Sequence, residues 1–346
     1  MEIESRDNLP SSCPVVLQAG FRIFFLGAAA YAVLSMAFWL VFYVAGGNIL
    51  IAMPLTVWHG HEMIFGFTMA VVAGFLLTAV MNWTGLPTLS GTPLLVLFLL
   101  WAAARVLAFM PAFVPTWPMA LCDSAFLVFL SVAVMRPIIA VKQWRQLAVF
   151  SKLILILFSG IVFYGALFYA DLEIERKALR FAVYMIVSLL FMISRRILPF
   201  FIERGVGYPV TLRNSRILDL ASVVFLIAFA IIDVFWNFPF IVAILCALLV
   251  VVHMVRLAGW YTPGIWRKPL LWILFAGYVF LITGFLLKMP AAIYHRPDDS
   301  ALHAFTAGGI GIFTLGMMAR VSWGHTGRDI AEAPRQLPLI FVPLTA

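Results

Sequence analysis

The chain is short of charge. Only 11% of its 346 residues are Asp, Glu, Lys or Arg, while 64% are hydrophobic. A soluble fold must cover a water-facing surface with far more charge, so that class is excluded. Cysteine is scarce as well. Cys13, Cys122 and Cys246 form no CxxC pair, and the last two sit in apolar segments. Neither a disulfide framework nor a thiolate metal cluster is expected. The short alternating segments of a membrane β-barrel are missing. With no internal repeat and no low-complexity tract, residues 1–346 read as one transmembrane domain. Residues 1–19 hold no apolar core ahead of a small-residue cleavage site, so no cleaved signal peptide is expected.

Long apolar runs are what the sequence has in plenty. Many exceed the roughly 18 residues that mark a bilayer span. In lipid every backbone polar group must be paired internally, which leaves helices. The expectation is an all-α, polytopic membrane bundle of about ten spans. They fall near 22–44, 57–81, 93–111, 117–136, 149–170, 179–198, 216–236, 238–258, 268–288 and 301–321. Short tails flank them at 1–20 and 322–346, and Leu337 to Ala346 is too short to cross. Breakers separate the spans at Gly46-Gly47, Asn82 to Gly91, Pro111, Trp236-Asn237-Phe238-Pro239 and Tyr261-Thr262-Pro263-Gly264. Residues 137–148 read as an interfacial stretch, with Trp144 at headgroup level.

The formal net charge of +8 points to topology rather than to nucleic acid. Even-numbered loops carry fifteen Lys and Arg and odd-numbered loops five, with Arg6 and Arg22 on the richer side. Both termini are therefore expected in the cytoplasm.

Six histidines stand at informative depths. His59 and His61 open span 2 and His303 opens span 10, all at the expected outer side; His295 lies in the last outer loop. His253 lies near the inner end of span 8 and His325 just beyond the inner end of span 10. His303 and His325 are 22 residues apart, about 33 Å along a helix, and cannot share a site. Neutral imidazole suits heme iron and copper. A histidine from span 2 could face His303 across a heme; packing or hydrogen bonding is the equal alternative for a histidine within a span. His59 and His61 point about 200° apart on a regular helix, so they should do different jobs. His59 shares a face with Glu62.

Charges at membrane depth need partners. Arg105 in span 3 fits either a heme propionate or an ion pair with Asp123 in span 4. Arg195-Arg196 reads as an anchor on the basic side. Gly308, Gly309, Gly311 and Gly316 in span 10 would admit a flat macrocycle or, more commonly, a neighbouring helix. The buried carboxylates Glu62, Asp123 and Asp233 make a thin proton path.

Several motifs resemble the NnrS family. They are Trp58-His59-Gly60-His61-Glu62-Met63-Ile64-Phe65-Gly66-Phe67 and Ala73-Gly74-Phe75-Leu76-Leu77-Thr78-Ala79-Val80-Met81-Asn82-Trp83-Thr84-Gly85 in span 2. Phe21-Arg22-Ile23-Phe24-Phe25-Leu26 and Arg196-Ile197-Leu198-Pro199-Phe200-Phe201 join them, with His303-Ala304-Phe305-Thr306, Met318-Ala319-Arg320 and Gly324-His325-Thr326-Gly327-Arg328 near the end. Members commonly run longer, with more spans. The resemblance implies a multi-pass protein of the bacterial inner membrane that binds heme, of b type, and copper. It also implies a role in denitrification and nitric oxide or nitrosative stress, with nitric oxide as a ligand. Four motif histidines carry over: His59, His61, His303 and His325. On this reading His61 and His303 hold the heme, His59 a second metal, and His325 has an inner-side role.

Two other classes compete. One is a membrane redox enzyme, a nitric oxide reductase or a quinol-linked oxidoreductase, which needs an electron donor and a proton route. The other is a transporter, which predicts inverted repeats that the sequence does not show. Membrane lipid is the partner common to all three; nucleic acid is not expected.

Overall fold

The computed structural model describes every residue except 1–12, 46–50, 52, 111–112, 237, 329–332, 335 and 346. The expected breakers Gly46-Gly47, Pro111 and Asn237 lie outside the described residues, as do most of the N-terminal tail and part of the C-terminal one. Among the described residues there is helix after helix and no β-strand.

Ten helices take up the ten expected spans. They are α1 (Gly20–Ala45), α2 (Leu55–Thr84), α3 (Gly91–Leu107), α4 (Trp117–Ala140), α5 (Leu147–Phe168), α6 (Leu172–Gly205), α7 (Arg216–Trp236), α8 (Pro239–Trp260), α9 (Pro269–Ile293) and α10 (Asp299–Gly324). A short α11 (Leu337–Thr345) follows. Nine of the ten are long and apolar enough to cross a membrane. The exception is α3, whose 17 residues reach about 26 Å. It ends in a turn at Ala108–Met110, where the Ala108 carbonyl accepts from Trp58 Nε1 at 2.9 Å. In contrast, α6 overruns its expected apolar core at both ends. Its first turns are charged and held by a Lys177–Glu173 pair at 2.6 Å, so the helix continues where the apolar run stops. The 137–148 stretch divides: α4 runs on to Ala140, and a single 3₁₀ turn at Trp144–Gln146 follows with Trp144 exposed.

Sequence signals explain the ends. Pro239 and Pro269 start α8 and α9 at positions where no backbone N–H is needed. Gly85 ends α2 in the left-handed region, φ 70°, with its N–H on the Met81 carbonyl. The packing is that of a membrane protein. On α8, Phe240, Ile244, Val251 and Val255 form an exposed apolar stripe, while Val242, Cys246, Leu249, His253 and Trp260 turn inward. An outward apolar stripe of that kind suits lipid contact.

The described chain falls into two compact units, Met1–Ala182 and Val183–Ala346, with the division inside α6. In the first, α2 packs on α1 and α4, and α4 packs on α3 and α5. The most deeply buried of the nine long spans is α2. In the second, α9 packs on α8 and α10, and α8 also on α7.

Among the described residues three helices change to the wider π-helical winding part-way: α2 over Glu62–Thr68, α7 over Ile232–Trp236 and α10 over Ala304–Gly311. Such stretches are rare and gather at functional sites. Two of them begin immediately after His61 and His303, and the third contains Asp233.

Candidate functional site

The first unit is built around a closed ring of hydrogen bonds deep in the bundle. His61 and Glu62 enter it from α2. Consecutive residues on a regular helix diverge by about 100°; the π winding adds a residue per turn and narrows that angle, so both side chains reach one place. His61 Nδ1 meets Glu62 Oε1 at 2.7 Å. Thr68 donates to the Met63 carbonyl at 2.7 Å, occupying a carbonyl inside the widened segment. From Glu62 the ring passes to Arg105 on α3, whose Nη1 donates to Glu62 Oε2 at 2.6 Å. Arg105 Nη2 then pairs with both oxygens of Asp123 on α4, at 2.5 Å to Oδ2. Tyr164 on α5 donates to Asp123 Oδ2 at 2.5 Å and stands 3.1 Å from His61 Nε2, closing the ring. Tyr31 on α1 adds a donor to Glu62. Every one of helices α1–α5 contributes, and all six side chains are buried.

The direction of these bonds is constrained. Tyr164 has one proton and gives it to Asp123, so its oxygen accepts from His61 Nε2. The Glu62 carboxylate can only accept from Nδ1. Both ring nitrogens of His61 are then donors, and the charges of His61 and Arg105 balance those of Glu62 and Asp123. Charge at membrane depth is sustainable in such a compensated network.

The Arg105–Asp123 pair was one of two expectations for Arg105, and it forms, with Glu62 added. His59, two residues from His61, takes a different direction as expected and stacks on Trp39 with ring centroids 4.4 Å apart.

The second unit holds a smaller analogue. Lys288 on α9 pairs with Asp233 on α7 at 2.7 Å and with Asp298. Tyr184 on α6 donates to Asp233 Oδ2 at 2.6 Å. A cation between two carboxylates thus occurs in each unit, with tyrosines on both carboxylates in the first and on Asp233 in the second.

His303 is placed differently from His61. Its ring is exposed, and Nδ1 lies 2.8 Å from the Asp299 carbonyl one turn back. A carbonyl accepts only, so Nδ1 carries a proton, and in the neutral ring the lone pair is then on Nε2. His325 lies just past α10, half-buried, and burial pulls its imidazole below the usual range. His61 lies in the first unit, and His303 and His325 in the second. Among the described residues no three His, Cys, Asp or Glu side chains come together as a metal cage.

The chain matches the family described as NnrS protein over residues 15–346. It belongs to the NnrS family. No curated protein matches it. The span 2 motif of this NnrS protein is thereby given a physical role: its His-Glu pair is the keystone of the buried ring.

The glycines of its span 10 also find their cause. A Cβ on Gly309 would lie 2.2 Å from Leu281 Cδ2, one on Gly308 2.5 Å from Phe280 Cδ1, and one on Gly316 2.8 Å from Ile273 and Leu274. These glycines admit α9, not a macrocycle. Gly309→Ala is expected to destabilise by about 1–3 kcal/mol through overpacking, whereas Gly311→Ala, whose Cβ meets nothing nearer than 3.5 Å, should unfold like the parent. Thermal unfolding of the two variants side by side checks this; equal midpoints would contradict the packing role.

Sequence reading overlooked Tyr31, Tyr164 and Lys288. A tyrosine inside an apolar run passes for core or interface, and Lys288 stands at the edge of the expected span 268–288, where a lysine passes for a loop residue. The usable signal was a polar hydroxyl far from either end of a span, since a buried Tyr O–H needs a partner.

Proposed function

We propose that this membrane protein binds heme in the response to nitric oxide and nitrosative stress, in the bacterial inner membrane, and that His303 is the histidine that holds the heme. The observation that carries the residue assignment is the 2.8 Å contact of His303 Nδ1 with the Asp299 carbonyl. It orients an exposed ring with the Nε2 lone pair outward, which is how the second contact of a metal-bound histidine is usually arranged. The stress role is supported by membership of the NnrS family.

The other expected heme residues fit less well. The His61 ring is fully buried and both nitrogens are engaged, at 2.7 and 3.1 Å. Arg105 spends its guanidinium on Glu62 and Asp123, so a propionate would have to break the ring of bonds. Copper belongs to the proposal on family grounds. Since no group of three His, Cys, Asp or Glu among the described residues is placed to hold a metal, a ring such as His59 would serve only with partners of another kind, and no step is assigned to it.

A heme with an open or labile axial position supplies nitric oxide binding. The test is the protein purified in mild detergent from a heme-replete host. Reduced-minus-oxidised spectra, iron and copper analysis, and addition of nitric oxide are recorded. Near-stoichiometric iron and a heme band shifted by nitric oxide are expected. A folded protein that carries neither metal would end the proposal.

A further inference from the structure

The second unit has a cleft of about 300 Å³ between α6, α7 and α8, a size that suits a small ligand. Its walls are apolar where Phe191, Met192 and Val223 stand, and polar at Arg195, Ser222 and Arg256. Asp219 ties the two arginines together, accepting from Arg195 Nε at 2.6 Å and from Arg256 Nη2 at 3.1 Å. Arg256 also donates to the Leu218 carbonyl at 3.0 Å and is buried. One carboxylate against two guanidiniums leaves the cleft a positive charge. Arg195 keeps the N–H groups of both Nη atoms, and its side chain is 44% exposed.

Behind the cleft, His253 is fully buried and stacks on Phe191 at 3.7 Å. Tyr278 OH lies 2.6 Å from His253 Nδ1 and receives Arg256 Nη1 at 3.5 Å. Ser222 Oγ lies 3.1 Å from His253 Nε2, so the serine hydroxyl is held at the edge of the cleft. The lining thus offers donors and positive charge, beside an apolar wall.

Position narrows the ligand class. Arg195 lies in the last third of α6, Asp219 and Ser222 lie in the first two turns of α7, and Arg256 lies near the end of α8. All lie toward the same end of their helices, the end where Arg204, Arg213, Arg267 and Lys268 stand. That is headgroup depth on the basic side. Basic pockets between spans at this depth suit anionic lipid heads, with acyl chains along the apolar wall.

We propose that the α6–α7–α8 cleft is a binding site for the phosphate headgroup of an anionic phospholipid, held by Arg195 and Ser222. The probe is phosphatidylglycerol added to the full chain in non-ionic detergent, with occupancy read by native mass spectrometry. Phosphatidylcholine, inorganic phosphate and a short-chain ubiquinone are the comparison ligands.

Phosphatidylglycerol should be retained in preference to phosphatidylcholine. Arg195→Gln should lower its occupancy about tenfold, as loss of a charge-assisted contact predicts, while Arg145→Gln in the other unit should leave it unchanged. Val223→Trp, which fills the cleft without touching the charges, should lower it as well and stands in if Arg195→Gln does not fold. Equal occupancy in the cleft variants and in Arg145→Gln would overturn the site. Displacement by millimolar phosphate would make it a soluble-anion site, displacement by the quinone a quinone site, and equal retention of phosphatidylcholine a neutral groove; each of these also overturns the proposal.

Discussion

Arg105→Ala is expected to cost about 3–5 kcal/mol and to leave little folded protein, because it strands two carboxylates in the bundle. Arg105 is buried and is the link between Glu62 and Asp123, at 2.6 Å to one and 2.5 Å to the other. Removing it leaves one cation, His61, against two anions with no water to solvate them. Lys at the same site should recover only part of the loss, since an ammonium cannot address two carboxylates in the planar fork that Arg105 uses. The double variant Arg105→Met with Asp123→Asn removes one charge of each sign and should be more stable than Arg105→Met alone. The measurement is the folded fraction and melting midpoint in detergent, by fluorescence-detected size exclusion. An Arg105→Ala protein that expresses and melts like the parent would show that the ring of bonds does not hold the first unit together.

His303→Ala is expected to lose the heme, with iron falling to background, while the chain still folds. The ring is exposed and hydrogen-bonded to the Asp299 carbonyl of its own helix, so its removal costs little packing. His61→Gln should behave in the opposite way. It should keep the heme and lose stability, because His61 is fully buried between Glu62 and Tyr164. Spectra and unfolding curves of the two variants separate ligation from support. Normal heme in His303→Ala, together with loss of heme from a folded His61→Gln, would transfer the ligand role to His61.

The contrast between these two histidines shows where sequence reading reached its limit. Both open a span, both precede a π-helical stretch, and both sit in family motifs. The place of each at the start of a span was readable from the apolar runs. Surroundings were not. Whether an imidazole is sealed by Tyr164 and Glu62 or exposed beside its own helix depends on side chains brought from distant positions. Likewise Arg105 was seen to need an anion, but two candidates were open. Only packing of α3 against α2 and α4 decided that both Glu62 and Asp123 supply it.

What the sequence determined by itself is the class of structure. Sparse charge and long apolar runs leave helices as the way to pair every backbone group in lipid, and ten helices stand where ten runs were read. Local chemistry also set the ends, at Pro239, Pro269 and Gly85. Tertiary structure alone decided which polar groups meet: the six-residue network of the first unit, the Lys288 pair with Asp233 and Asp298, and the arginine-lined cleft. The physical reason is range. Helix formation rests on bonds between residues four apart, which a sequence shows directly. A buried charge is satisfied by whichever partner the packing brings within about 3 Å, at any separation along the chain.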